Sequence, residues 1–191
     1  MQSSESYFGF WGFFIFGGEL ITFIIGGARG GKSRFALEKA ALYSGKKAYI
    51  ATAQALDDEM KERIDKHKKE RTEEWMTFEE PLNISALIKD IQDKYNVILL
   101  DCLTLWLSNL MLNNFDANKE IEGLINALRF TPNASRTFIV SNEVGMGIVP
   151  DNELSRRFRD LSGCLNQKVA GIADEVYLVT AGIPIKIKTH E

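Results

Sequence analysis

The stretch ELITFIIGGARGGKS, residues 19–33, decides the fold. Its first half, 19–25, is a short apolar run rich in β-branched residues and predicts a buried strand. Its second half is Gly26, Gly27, Ala28, Arg29, Gly30, Gly31, Lys32 and Ser33, which satisfies G-x-x-x-x-G-K-[ST]. The following residues, 33–43, carry Phe35, Ala36, Ala40 and Leu42 in a helical pattern closed by Ser44 and Gly45. A strand running in and a helix running out is the setting in which such a loop curls its backbone N–H groups toward phosphate oxygens. The helix N-terminus adds positive potential. Lys32 is expected to reach the β- and γ-phosphates of a nucleoside triphosphate, and the Ser33 hydroxyl to coordinate Mg²⁺. The competing reading is a glycine-rich turn that only starts a helix.

Further along, strands are predicted at 47–52, 76–79, 96–101, 136–141, 175–180 and 184–188. Helices are predicted at 57–70, 84–95, 104–112, 118–130 and 152–173. This alternation implies an α/β fold: a mostly parallel sheet with helices on both faces, the three-layer, RecA-like arrangement of P-loop NTPases. The second half of such a site is an acid at the end of a neighbouring buried strand. Asp101 follows Val97, Ile98, Leu99 and Leu100, at the strand edge where parallel sheets bind ligands. It would hold Mg²⁺ directly or through water; alternatively it caps the helix from Thr104.

The 191 residues carry a net charge of −3 with both signs dispersed. One domain over 19–191 is the expectation, and the lack of a basic block argues against an extended nucleic-acid surface. The two cysteines, Cys102 and Cys164, lack CxxC spacing. They suit a reducing, cytoplasmic compartment and are expected to pack as small hydrophobes. Residues 7–18 read YFGFWGFFIFGG, too short for a membrane span and without the charged flank of a secretory signal. Residues 1–18 are therefore read as an appended segment that packs on the domain, contacts a partner or stays mobile, with no membrane contact expected and no catalytic role.

His67 shares a helix face with Met60, Ile64 and Arg71. It is either a partly buried helix histidine or a nucleophile or acid–base group beside the nucleotide. The cations Arg63, Lys66, Lys68 and Arg71 around it would favour the neutral imidazole that attacks phosphorus.

Several separated motifs then occur in one order: GGARGGKSR at 26–34, YIATAQALDDEM at 49–60, RIDKHKKERTEEW at 63–75, SNEVGMGIVP at 141–150, RRFRD at 156–160 and LNQ at 165–167. Together they strongly resemble the bifunctional adenosylcobinamide kinase and adenosylcobinamide-phosphate guanylyltransferase family of cobalamin synthesis, from about Ile21 to Lys188. The resemblance implies phosphorylation of adenosylcobinamide by ATP or GTP, then transfer of GMP from GTP through a histidine to the cobinamide phosphate. The family pattern R-I-x-x-H-x-x-x-R-x-x-x-W falls on Arg63, Ile64, His67, Arg71 and Trp75, which makes His67 the guanylylated residue. The family's GTP contacts map onto Ala51, Thr52 and Ala53, onto Lys68, Lys69, Glu70 and Arg71, and onto Glu79 and Asp101. Glu79 would accept from a guanine N–H or a ribose hydroxyl, or else simply faces solvent. A homotrimer is implied on the same resemblance. Gly30 departs from the family's usual serine, which suggests a looser loop lacking one hydroxyl.

Two other classes compete. A P-loop kinase for a different small alcohol explains Lys32, Ser33 and Asp101 but leaves the His67 motif unexplained. A GTP-dependent switch lacks a guanine-specifying N-K-x-D, because Asn118, Lys119, Glu120 and Ile121 end in isoleucine, and the D-x-x-G at 160–163 sits inside a predicted helix.

Overall fold

The computed structural model describes residues 20–55, 58, 61–62, 68, 73–129 and 135–189. Among the described residues seven strands form one sheet: β1 (Leu20–Gly26), β2 (Lys47–Ala51), β3 (Trp75–Glu79), β4 (Val97–Asp101), β5 (Arg136–Asn142), β6 (Glu175–Thr180) and β7 (Ile183–Lys188). Their order across the sheet is β3-β2-β4-β5-β1-β6-β7. Every pairing is parallel except β6 with β7. The helices are α1 (Lys32–Ala41), α2 (Ile84–Ile91), α3 (Leu103–Leu112), α4 (Ala117–Arg129) and α5 (Glu153–Ile172). The helix predicted at 57–70 falls largely outside the described residues.

The strands alternate between two cores, as the period of two requires. Ile21, Phe23, Ile98, Leu100 and Ile139 meet α2, α3, α4 and α5 on one face. Ile24, Val97, Leu99, Phe138 and Val140 meet Ala36 and Ala40 of α1 on the other. Both faces of the central strands are thus covered, which explains why these strands read as continuous apolar runs. The expected helix at 84–95 stops at Ile91, where the Lys94 amide closes a tight turn on the Ile91 carbonyl.

Two helix starts are capped by side chains. Asp116 accepts from the amides of Asn118 and Lys119 ahead of α4. Asn152 accepts from the Ser155 amide at α5. Such caps satisfy backbone donors that have no partner within the helix. At the sheet's edge, Ala181 and Gly182 both take positive φ and close the β6–β7 hairpin; that is the backbone demanded by a tight two-residue turn. Glu175 of β6 holds Lys39 of α1 at 3.2 Å and Lys186 of β7 at 2.6 Å, fastening the hairpin to the first helix.

Leu99 is fully buried whereas Ile187 on the edge strand is exposed. Leu99→Ala is expected to lower unfolding free energy by about 2–5 kcal/mol through lost burial and a residual cavity. Ile187→Ala is expected to stay within about 0.5 kcal/mol. Urea denaturation of the two variants checks the contrast.

Candidate active site

The candidate residues at the strand ends collect along one edge because the parallel strands all end there. Ala51, the last residue of β2, lies in register with Glu79 on one side and Asp101 on the other. Gly26, the last residue of β1, lies opposite Asn142 of β5. One expectation is corrected: the Asp101 strand does not neighbour the strand of the glycine-rich loop. β5 stands between β4 and β1, which separates their axes by about 10 Å at ordinary strand spacing.

The loop from Gly26 to Lys32 is built by close backbone approaches. A Cβ on Gly26 would lie 2.2 Å from the Val179 carbonyl oxygen. One on Gly30 would lie 2.9 Å from the Gly27 oxygen and 3.2 Å from that of Val179. The Gly30 amide donates to Gly27 at 3.1 Å, and the Gly182 amide donates to Gly30 at 3.0 Å. Glycine at position 30 therefore belongs to a closely packed turn, and the looser loop expected from the missing serine is not what the geometry shows. Gly31 is left-handed, with φ of 92°, and caps α1; glycine takes that conformation without steric cost.

Like α2 and α3, and unlike α4 and α5, α1 has no side-chain cap and no acid in its first turn. Its first amides and its dipole are thus not neutralised by a carboxylate, the arrangement in which a helix start receives an anion. Lys32 begins the helix, 6% exposed, with its ammonium donating to the Gly27 carbonyl at 2.6 Å. Gly27, Ala28 and Arg29 are exposed, and Ser33 is half-buried.

Asp101 is half-buried, and its carboxylate accepts from the Tyr49 hydroxyl at 2.7 Å. The alternative role as a helix cap does not hold. The N-cap position of α3 belongs to Cys102, with no side-chain cap bond. Cys102 is enclosed, and burial followed by the Asp101 charge pushes its thiol up to about 12, against the opposing pull of Lys32. Asp101 and Lys32 thus both act electrostatically on one sulfur, although β4 and the strand that leads into α1 are not adjacent.

Thr52 is fully buried, and its hydroxyl donates to the Cys102 carbonyl at 2.8 Å and accepts from the Cys102 amide at 2.9 Å. Its side chain ties β2 to β4, so a nucleotide contact at Thr52 falls to other atoms of that segment. Ala53 is half-buried beside it. Glu79 and Lys68 are both exposed and form an ion pair with each other at 2.6 Å. His67, Lys69, Glu70 and Arg71 lie outside the described residues, as does His190.

Two features were not anticipated. Asn109 donates from one amide nitrogen to the carbonyls of Thr52 at 2.8 Å and Pro81 at 3.1 Å. Its signal was a polar residue in an apolar helix, three positions from Trp106 on the buried face. Cys164, expected to pack inside, is exposed, because α5 turns that position away from Leu165 and Val169, which face the sheet.

Fold and edge together define a class, an α/β protein whose mostly parallel sheet and flanking helices are consistent with P-loop-like NTPase architecture. Among solved structures the chain resembles a prototypical ATPase from the type III secretion system of pathogenic bacteria, with TM-score 0.55 and 12% identity. That likeness covers 84% of this chain and 51% of the ATPase, so the chain spans about half its length. It also resembles the RadB recombinase, with TM-score 0.50 and 12% identity over 83% of this chain and 73% of that one. At such identities the likeness is one of fold. Sequence similarity is more specific. The family described as cobinamide kinase / cobinamide phosphate guanyltransferase (CobU) matches residues 22–187, and the chain belongs to that family. It is 44% identical to the bifunctional adenosylcobalamin biosynthesis protein CobP of Pseudomonas aeruginosa over 86% of this chain and 95% of that protein. It is 41% identical to the CobU proteins of Escherichia coli and Salmonella typhimurium, in each case over 88% of this chain and 100% of the relative. Membership places it among transferases of cobalamin biosynthesis. No helix among the described residues is long and apolar enough to cross a membrane.

The two thiols should behave differently. Titration of the native protein with a thiol reagent at pH 8 is expected to modify Cys164 alone, because Cys102 is enclosed and its thiol stays protonated. Both should react in guanidinium, and rapid native reaction of Cys102 would contradict the enclosure.

Proposed function

We propose that this protein phosphorylates adenosylcobinamide with ATP or GTP and then transfers GMP from GTP to the cobinamide phosphate, giving adenosylcobinamide-GDP. The observation that carries the reading is family membership across 22–187 together with an uncapped α1 start behind the glycine-rich loop. Amides from Gly27 to Ser33 hold the triphosphate, in the RecA-like manner of P-loop enzymes. The Lys32 ammonium, now on the Gly27 carbonyl, exchanges that oxygen for the β- and γ-phosphate oxygens.

Mg²⁺ fits a hydroxyl at Ser33 and a carboxylate at Asp101, which are oxygen ligands suited to a hard cation that retains phosphate and water ligands. Among the described residues no group of three His, Cys, Asp or Glu side chains forms a protein cage; a nucleotide-borne ion needs none. When bound, the ion neutralises charge on the β- and γ-oxygens.

In the second reaction a neutral His67 nitrogen attacks the α-phosphorus of GTP. A P–N bond forms, the α–β bridging bond breaks and pyrophosphate leaves. A phosphate oxygen of the cobinamide phosphate then attacks the same phosphorus, the P–N bond breaks and the imidazole is regenerated. Splitting the displacement keeps two anionic substrates from having to meet directly. Ala51, Thr52, Ala53, Lys68, Lys69, Glu70, Arg71 and Glu79 are assigned to GTP, with Lys68 and Arg71 balancing phosphate charge. Glu79, which pairs with Lys68 at 2.6 Å, is assigned to guanine or ribose. The enzyme is assigned to the cytoplasm as a homotrimer.

Incubation with GTP labelled at the α-phosphate, followed by denaturation, tests the reading. Wild-type protein should retain acid-labile, alkali-stable label, and His67→Ala should retain none. Absence of label on folded wild-type protein, with cobinamide still phosphorylated, would leave a kinase alone.

A further inference from the structure

The exits of β2, β3 and β4 are cross-tied beneath the candidate edge, and most of the ties come from two side chains of α3. Asn109, 5% exposed, spends both N–H donors of its carboxamide on carbonyls separated from it by 57 and 28 residues, those of Thr52 and Pro81. One turn earlier on the same face, the Trp106 indole N–H donates to the Leu82 carbonyl at 2.8 Å. Thr52 closes the third side through its hydroxyl on Cys102. A neutral carboxamide presents two donors from a single nitrogen, so it can hold two carbonyls together without bringing a charge into the core.

What these ties hold is specific. The β2 exit carries Ala51, Thr52 and Ala53, and the β3 exit carries Glu79. The Lys68–Glu79 pair brings Lys68 against that same β3 exit. The glycine-rich loop is anchored elsewhere: by its packing on Val179, by the Gly182 amide on Gly30 and by the Glu143 amide on Gly26. Asn109 and Trp106 thus act on the β2 and β3 exits, whereas the loop is held by β6, β7 and β5, the last met by Thr104 at the other end of α3.

We infer that Asn109 is a positioning residue for guanylyl transfer: its carboxamide sets the spacing between the β2 and β3 exits, and through it the seat of the guanosine end of GTP. The inference rests on the guanylyl-transfer reading above. Losing the donors should therefore slow formation of the GMP–enzyme adduct far more than phosphorylation of the acceptor, whose Lys32 and Ser33 lie on a loop that Asn109 does not touch.

The test compares wild type, Asn109→Ala and the near-isosteric Asn109→Asp, with Trp106→Phe removing only the Leu82 bond while keeping a ring in the core. Folding is followed by circular dichroism, and all rates are measured well below each melting temperature. Single-turnover labelling by α-labelled GTP is set against steady-state phosphorylation of cobinamide by ATP. The expected result is a fall in labelling of about tenfold or more, carried mainly by weaker GTP saturation, with phosphorylation within about threefold of wild type. These magnitudes follow from the loss of a buried, geometry-setting contact. Trp106→Phe should show the same bias more weakly, and it carries the test if neither Asn109 variant folds. A parallel fall in both activities, or no change in labelling, in a folded variant overturns the inference alone. Failure of wild-type protein to label overturns the guanylyl-transfer reading and this inference with it.

Discussion

A side chain at Gly26 has nowhere to go. Its first carbon would sit 2.2 Å from the Val179 carbonyl oxygen, well inside contact distance, because β1 runs directly beside β6 at that level. The rest of the loop inherits this closeness. The chain must turn over the ends of its own sheet, so Gly30 tucks against Gly27 and Gly31 adopts a left-handed conformation against the hairpin turn at Gly182. Glycine is needed at 26, 30 and 31 because backbone meets backbone there, whereas a Cβ at Gly27 would meet nothing within 4 Å. As a result Lys32 enters α1 already buried, and the first turn of that helix is left without a side-chain cap.

The same edge collects its other groups through strand register rather than through contacts in sequence. Glu79, Ala51 and Asp101 stand side by side because β3, β2 and β4 are parallel and in step. Their spacing is then held by buried hydrogen bonds from Thr52, Trp106 and Asn109. Each bond contributes a modest net stability, but a buried carbonyl left without a donor is costly. The pattern therefore resists partial loss, and rigidity at the base of a site limits how far its contacts can drift.

The parts legible in the sequence were those written in local pattern. The buried strands at 20–26 and 97–101 announced themselves as apolar runs ending in glycine or aspartate, and the loop between β1 and α1 as a spacing of glycines before Lys32. Topology was harder. That β5 lies between β4 and β1 depends on a pairing between residues 136–142 and 20–26, which no local window contains. Partner choice was hidden for the same reason. Thr52 is an ordinary post-strand threonine until Cys102 is brought against it, and Lys68 and Glu79 look like two separate nucleotide contacts until the fold pairs them. Asn109 reads as a blemish in an apolar helix. Cys164 misled because free cysteine usually packs inside, while the face of α5 decides otherwise.

The most direct measurement is a crystal structure of the protein with GTP and Mg²⁺. The account predicts β- and γ-phosphate oxygens at about 2.7–2.9 Å from the Lys32 ammonium, which has left the Gly27 carbonyl. It also predicts the His67 ring facing the α-phosphorus, opposite the departing pyrophosphate. A triphosphate bound away from the α1 start, with Lys32 still on Gly27, would contradict it.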